Sequence, residues 1–146
     1  MVTGASGGLG TATALELHRQ GAQLVLTARR KELLDQLAAT TGAEVVVADL
    51  ADHDDVTMLC ERAAEMDVLV LNAGTGADGD VTTLTPDVVD FVIDVNLRSP
   101  IVMTSAFAQH KVATGGTGQV VLIGSLSGLV ATPNTQMYNA TKFGLR

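Results

Sequence analysis

The sequence predicts an α/β fold in which a parallel sheet is covered by helices on both faces. Short runs rich in β-branched residues alternate along the chain with longer stretches that have helical spacing. Hydrophobic residues make up 47% of the 146 residues and aromatic residues only 3%, so Val, Leu, Ile and Ala must build the core. This composition is typical of strands buried on both faces. Right-handed crossovers between such strands give a doubly wound, Rossmann-like sheet.

Five strands are expected, in strict alternation with helices. The first is a stub at Val2 and Thr3, and each of the others is a short apolar run bounded by Gly, Asp, Asn or Thr. The four longer strands are predicted at 24–27, 45–47, 68–71 and 120–123. Helices are predicted at 9–20, 31–39, 54–64 and 86–112, and a further helix begins at 137.

Three helix boundaries have local signals. Thr85 precedes Pro86, which is the arrangement of an N-cap residue followed by proline at the first helical position. Gly21 and Gly42 follow helical stretches and precede strands, where a glycine commonly ends a helix. We expect one domain over 1–146. The short first strand and the brief last helix predict that it is an incomplete portion, truncated at the C-terminus and in the first strand.

Composition excludes several classes of function. The net charge of −7 argues against nucleic-acid binding, which requires a basic face. Cys60 is the sole cysteine, and the three histidines are widely spaced, so no metal site is expected. No apolar run approaches the ~20 residues of a membrane span, and no signal peptide is expected because glycines interrupt the first residues. We therefore expect a cytoplasmic protein with no membrane association.

The chain opens with the glycine-rich loop Thr3-Gly4-Ala5-Ser6-Gly7-Gly8-Leu9-Gly10, between a strand stub and a helix. Glycine lets backbone N–H groups approach a ligand closely, and a helix N-terminus attracts anions, so a diphosphate is the expected ligand. A P-loop is excluded because Gly10 is followed by Thr11 and no lysine. A flexible turn without a ligand is the alternative.

Five features together resemble the short-chain dehydrogenase/reductase family, over the whole chain. They are the glycine loop, Asn72-Ala73-Gly74, Asn96, Ser125 and the segment Tyr138-Asn139-Ala140-Thr141-Lys142. The resemblance implies an NAD(P)-dependent oxidoreductase that interconverts a carbonyl and a secondary alcohol. It also implies a small-molecule substrate and a homo-dimer or tetramer that pairs through the 86–112 helix and the Tyr138 helix. A dinucleotide-binding or scaffolding module without turnover is the rival interpretation.

The resemblance implies a set of cofactor-binding residues. They are Thr3, Gly4, Ser6, Gly7, Gly8, Leu9, Gly10, Arg29, Arg30, Asp49, Leu50, Asn72, Ala73, Gly74, Tyr138 and Lys142. Asp49 would contact the adenine ring, although a strand-ending Asp can equally cap the following turn. Asn72-Ala73-Gly74 would line the cofactor's ribose, although a simple turn is the alternative.

The end of the second strand bears on the choice between NADP and NAD. Ala28 stands where NAD enzymes of the family usually have an Asp, and Arg29 can reach a 2′-phosphate. NADP(H) is therefore favoured and NAD(H) is possible. Many NADP-dependent members of the family also have a basic residue just before the second glycine of the loop motif, where this chain has Gly7. Alternatively, Arg29 and Arg30 only solubilise a helix start.

The implied catalytic residues are Asn96, Ser125, Tyr138 and Lys142. Tyr138 and Lys142 are four residues apart and share a helix face, and a nearby ammonium favours a phenolate. Tyr138 would act as acid/base, Ser125 would donate to the substrate oxygen, and Asn96 would sustain a water chain to Lys142. Ser127 competes with Ser125. Substrate-lining candidates are Ser127, 132–137 and 74–80, where Asp78 and Asp80 weakly disfavour anionic substrates.

Overall fold

The computed structural model describes residues 1–77 and 79–146, and within them it contains a five-stranded parallel sheet. The strands are β1 Val2–Thr3, β2 Val25–Ala28, β3 Glu44–Val47, β4 Val68–Leu71 and β5 Gln119–Leu122. Their order is β3-β2-β1-β4-β5, so the chain winds outward from β1 in both directions. The predicted doubly wound sheet is confirmed.

Within the described residues, six α-helices connect or follow these strands. They are α1 Gly8–Arg19, α2 Lys31–Thr41, α3 His53–Ala64, α4 Pro86–Ile93, α5 Ser99–Thr114 and α6 Gln136–Gly144. Two short 3₁₀ helices, Val81–Thr83 and Leu126–Gly128, lie in the loops after β4 and β5. In the described part of the chain, no helix is both long enough and apolar enough to cross a membrane.

The predicted helix over 86–112 is present and runs without a gap to Thr114, but five of its residues are not α-helical. A π-helical turn, Asp94–Arg98, separates α4 from α5, and there the main-chain N of Ser99 donates to the carbonyl of Asp94. Such a turn holds one residue more than an α-helical turn. Apolar residues continue on both sides of it, so the periodicity of the sequence does not reveal the insertion.

Two apolar clusters lie on opposite faces of the sheet. On one face, α1 and α2 pack on Val2, Leu26 and Val70, with Leu34 of α2 fully buried. On the other face, the cluster contains residues of α3 and α5 together with Leu69 and Leu71 of β4. Alternate residues of β4 thus point to opposite faces, as the pleat of a strand requires.

The helix boundaries predicted at Thr85 and at Gly42 are confirmed. The hydroxyl of Thr85 accepts from the main-chain N of Val88 at 3.5 Å, with Pro86 in the first turn. Gly42 ends α2 with φ of 66°, in the left-handed region that glycine adopts without a steric penalty. Because all five strands are parallel, the loops after β1, β2, β3, β4 and β5 lie at the same edge of the sheet. This is the edge where ligands bind in open α/β folds.

Candidate functional site

A cleft of about 820 Å³ lies at the carboxyl edge of the sheet. Most of the residues predicted to bind a cofactor line it. These are Gly4, Ser6, Gly7, Gly8, Leu9, Gly10, Arg29, Arg30, Asp49, Leu50, Asn72, Ala73, Gly74, Tyr138 and Lys142. Thr3, Asn96 and Ser125 are not among its lining residues. The fold thus gathers segments up to 138 residues apart in sequence, Gly4 to Lys142, around one space.

Two glycines of the loop are required by close packing. Gly4 has φ of 64°, and a Cβ there would lie 2.8 Å from the Cα of Ala73. A Cβ at Gly10 would collide with the carbonyl oxygen of Gly4 and would lie 2.8 Å from Nδ2 of Asn72. That amide nitrogen donates to the carbonyls of Thr3 (3.0 Å) and Gly4 (3.3 Å). Asn72 therefore fixes the shape of the glycine loop, and side chains at Gly4 and Gly10 would displace it.

Gly7 and Gly8 have no such packing requirement. A Cβ at Gly8 would meet nothing within 4 Å, and one at Gly7 would be in ordinary contact with the Gly4 carbonyl at 3.4 Å. Gly8 begins α1, where glycine costs up to about 1 kcal/mol relative to alanine. The open side of these two glycines faces the cleft at a helix N-terminus, whose unpaired N–H groups suit an anion. A dinucleotide diphosphate fits this donor set.

Thr3 lies behind the wall of the cleft and is 1% exposed. Its hydroxyl accepts from the main-chain N of Asn72 at 3.0 Å and of Ala73 at 3.1 Å. Thr3 therefore holds the end of β4 against β1. This contact supports the residues that line the cleft, and a direct contact of Thr3 with a cofactor stays a prediction.

At the end of β2, the Arg29 guanidinium lies at the cleft between an acidic and an aromatic side chain. Nη1 of Arg29 is 3.7 Å from Oδ2 of Asp49, and its guanidinium carbon is 5.7 Å from the centroid of the Phe91 ring. The other oxygen of Asp49 accepts from the main-chain N of Ala51 at 3.0 Å. Asp49 therefore caps the turn that follows β3, as the alternative interpretation predicted. Asp49 also lines the cleft.

Arg30 makes a contact that the sequence did not predict. Its Nη2 donates to the Ser6 carbonyl at 2.7 Å and lies 3.3 Å from the Ser6 hydroxyl. Arg30 also occupies the N-cap position of α2. It therefore ties the glycine loop to the start of α2, so it does more than solubilise a helix start.

Helix α6 places Tyr138 and Lys142 on one face at the cleft. Nζ of Lys142 lies 5.7 Å from the centroid of the Tyr138 ring and donates to the carbonyl of Ile123 at 2.8 Å. Lys142 is 4% exposed, and this burial lowers the pKa of its amino group. The hydroxyl of Tyr138 can donate or accept a proton, and helix α6 brings it to the same cleft as the Lys142 cation.

The loop after β5 leaves the choice between the two serines open. The hydroxyl of Ser125 accepts from the main-chain N of Ser127 at 3.1 Å and so caps the 3₁₀ helix Leu126–Gly128. Ser127 lines the cleft. At Gly128, a Cβ would lie 2.6 Å from the carbonyl oxygen of Lys142, so this loop packs directly on α6. Glycine there keeps both serines close to the Tyr138 helix.

Asn96 is fully buried in the π-helical turn. Its Oδ1 accepts from the main-chain N of Thr75 at 2.8 Å, and its Nδ2 donates to the Thr75 carbonyl at 2.7 Å and the Thr141 hydroxyl at 3.1 Å. A Cβ at Gly74 would lie 3.6 Å from both Oδ1 of Asn96 and Nζ of Lys142. Asn96 thus joins the β4 loop to α6, and its water chain stays a prediction.

Some lining residues were missed by the sequence reasoning. Among them are Phe91, Val95, Ile123 and Gly124. Phe91 and Val95 reach the cleft from α4 and the π-helical turn, and no local sequence signal marks them. Of the acidic pair predicted near the substrate, Asp80 caps the 3₁₀ helix Val81–Thr83 and bonds from Thr82 lower its pKa. Asp78 lies outside the described residues.

Comparison with known proteins agrees with this arrangement. A family model described as short chain dehydrogenase matches residues 1–146. An uncharacterised short-chain type dehydrogenase/reductase of Sinorhizobium fredii is 37% identical over 97% of this chain and 57% of its own length. The 3-oxoacyl-acyl-carrier-protein reductase FabG of Rickettsia conorii is 31% identical over 99% of this chain and 61% of its own length.

A solved structure has the same fold and a described cofactor. The short-chain dehydrogenase of Sphingobium yanoikuyae, in complex with NADPH, superposes with a TM-score of 0.91 at 34% identity, covering 98% of this chain and 59% of that one. The chain spans about three fifths of the length of these relatives. With the family model matching from the first residue to the last, the chain belongs to the short-chain dehydrogenase/reductase family of oxidoreductases.

Proposed function

We propose that this protein is an NADP(H)-preferring oxidoreductase that interconverts a carbonyl and a secondary alcohol, with Tyr138 as the acid/base. One observation supports this most strongly: Tyr138 and Lys142 line the same cleft as the glycine loop. A diphosphate held by that loop and a substrate oxygen at Tyr138 would therefore be parts of one site. The reductase activity named for the relative from Rickettsia conorii supports the same reaction class.

The residues that would hold the cofactor follow from the cleft wall. The open backbone at Gly7 and Gly8 would take the diphosphate, Asp49 and Leu50 would border the adenine, and Lys142 would hold the nicotinamide ribose. When bound, the nicotinamide supplies or accepts the hydride. Thr3, Asn72 and Asn96 would act by keeping this wall in place.

Tyr138 would give a proton to the carbonyl oxygen in reduction and take it back in oxidation. Nζ of Lys142 lies 5.7 Å from the centroid of the Tyr138 ring, so its cation would lie near the negative charge left on the phenolate. Ser125 would donate a hydrogen bond to the same substrate oxygen. Ser127, which lines the cleft, is the alternative donor.

Preference for NADP(H) would depend on Arg29. A charge-assisted hydrogen bond contributes about 1.5–3 kcal/mol, which corresponds to a preference of roughly ten- to hundredfold. The NADPH complex of the relative from Sphingobium yanoikuyae supports this cofactor. Asp49 lies 3.7 Å from the guanidinium and would offset part of the gain.

We also propose a cytoplasmic homo-dimer or tetramer that pairs through α4, α5 and the Tyr138 helix, α6. Ile101 and Val112 of α5 support this because they are apolar and 53% and 83% exposed. Sedimentation velocity tests the assembly: a mass of two or four chains supports it, and a monomer at micromolar concentration contradicts it.

The test of the reaction is NADPH oxidation in the presence of a panel of ketones, aldehydes and 3-oxoacyl thioesters. The account predicts substrate-dependent oxidation that falls by at least about 100-fold in Tyr138→Phe, since general acid catalysis contributes about 10²–10⁴-fold. The affinity for NADPH should stay within threefold of wild type in this variant. NADPH binding without turnover on any substrate would favour the non-catalytic module.

A further inference from the structure

The guanidinium of Arg29 is positioned by an aromatic ring from a distant part of the chain. Phe91 belongs to α4, 62 positions after Arg29, and its ring centroid lies 5.7 Å from the guanidinium carbon. Phe91 is half-buried: it packs against the apolar cluster on the α3 and α5 face and also lines the cleft. The ring is thus fixed by the core, whereas the Arg29 side chain is 62% exposed.

The two neighbours of Arg29 differ in what they do to its charge. Asp49, at 3.7 Å, orients the guanidinium and also neutralises part of the charge that would attract a phosphate. The face of an aromatic ring attracts a guanidinium through its quadrupole and carries no net charge. Phe91 can therefore hold Arg29 at the cleft and leave its positive charge available to an anion.

We propose that Phe91 is a positioning residue for cofactor choice: it holds Arg29 where a 2′-phosphate would bind, and so favours NADP(H) over NAD(H). This rests on the proposed function, since it requires a nicotinamide dinucleotide in the cleft. The two cofactors differ only in that phosphate. Loss of the ring should therefore weaken NADPH binding and leave NADH binding unchanged.

The experiment measures dissociation constants for NADPH and NADH from the fluorescence of the reduced nicotinamide. An exposed cation–π contact corresponds to about two- to fivefold in affinity. Phe91→Leu should weaken NADPH binding by about that factor. The dissociation constant for NADH should change by less than about 1.5-fold, which is on the order of the measurement error. In the Arg29→Ala variant, adding Phe91→Leu should change neither affinity, because the ring acts through Arg29.

Two further variants separate positioning from general loss of structure. Phe91→Tyr keeps the ring face and should keep the wild-type ratio of affinities. Phe107→Leu removes a ring from α5 that also has a cation over it, Lys111 at 5.3 Å, but Phe107 is not among the residues that line the cleft. It should lower thermal stability without changing the ratio. Thermal melts of all variants identify any that fail to fold.

The outcomes are distinguishable. If the wild type binds NADPH more tightly and Phe91→Leu leaves the ratio unchanged, the inference is wrong and the proposed function stands. Equal weakening of both cofactors would overturn the inference too, since it would indicate contact of the ring with the shared part of the dinucleotide. If the wild type binds neither cofactor, or prefers NADH, the proposed NADP(H) site fails and the role of Phe91 fails with it.

Discussion

The carboxamide of Asn96 bonds both backbone polar groups of Thr75, accepting from its N–H at 2.8 Å and donating to its carbonyl at 2.7 Å. Asn96 lies in the π-helical turn, and Thr75 follows the Asn72-Ala73-Gly74 segment at the end of β4. A third bond, to the Thr141 hydroxyl, reaches α6. One buried side chain thereby holds the loop after β4 against the helix that bears Tyr138 and Lys142.

Asn96→Ala should destabilise the fold by about 2–3 kcal/mol, because it leaves the partly buried backbone groups of Thr75 without partners. Thr75→Ala is the matched control. Since the bonds use only the backbone of Thr75, this variant should cost less than about 1 kcal/mol. Urea denaturation measures both free energies of unfolding. Equal costs for the two variants would show that the Asn96 bonds do not contribute as described.

Gly10→Ala and Gly8→Ala should have opposite consequences. A Cβ at Gly10 would collide with the carbonyl oxygen of Gly4 and lie 2.8 Å from Nδ2 of Asn72, so the substitution should cost about 1–3 kcal/mol in stability. At Gly8 a Cβ meets nothing within 4 Å, and alanine there should be neutral or stabilise by up to about 1 kcal/mol. Gly8→Ala should nevertheless weaken binding of both cofactors. A stable Gly8→Ala protein with wild-type affinity would mean that the ligand does not approach this glycine.

Arg30→Ala tests the tie between the glycine loop and α2. Its loss removes a 2.7 Å bond to the Ser6 carbonyl, so the loop should become less ordered before a cofactor binds. Binding of NADPH and binding of NADH should then weaken by a similar factor, about two- to tenfold. Arg29→Ala should weaken NADPH binding selectively. Selective loss of NADPH in Arg30→Ala would instead assign the 2′-phosphate contact to Arg30.

Because Lys142 is buried, we expect the stability of the fold to change with pH in the alkaline range. Burial lowers the pKa of its amino group below the ordinary 10.5, so between these two values the unfolded chain binds more protons than the folded chain. The free energy of unfolding should therefore rise with pH across that window. Lys142→Met should abolish the rise, whereas Lys31→Met, at a site where the ammonium is 63% exposed, should retain it.

The thiol of Cys60 acts in the opposite sense and must be removed from this comparison. Burial raises its pKa above the ordinary 9.0, so the folded chain keeps that proton longer than the unfolded chain and stability falls as pH rises from there. The measurement is therefore made in a Cys60→Ala background, by urea denaturation at several alkaline pH values. A rise that persists in Lys142→Met would assign it to another group.

The sheet was predictable because its signals are local. Each strand is a short apolar run between turn residues, and Thr85, Pro86 and Gly42 mark helix boundaries by chemistry that needs no tertiary contact. The residues around the cleft were located by their motifs in the same way. The π turn was not predictable, because a one-residue insertion leaves apolar residues continuous on both sides of it.

Contacts between residues far apart in the chain could not be predicted from the sequence either. The contacts of Asn96 with Thr75, Arg30 with Ser6 and Arg29 with Phe91 join different elements, and no spacing rule relates them. The different structural roles of the glycines in the loop are a further example. Only packing shows that Gly4 and Gly10 are required by the protein itself, while Gly8 faces open space.

Titration of this protein with NADPH and, separately, NADH, following the enhancement and blue shift of nicotinamide fluorescence, tests directly whether the cleft binds a dinucleotide. We expect saturable binding of both, with NADPH tighter by roughly tenfold or more. No response to either nucleotide would contradict the central claim that this cleft holds a nicotinamide dinucleotide.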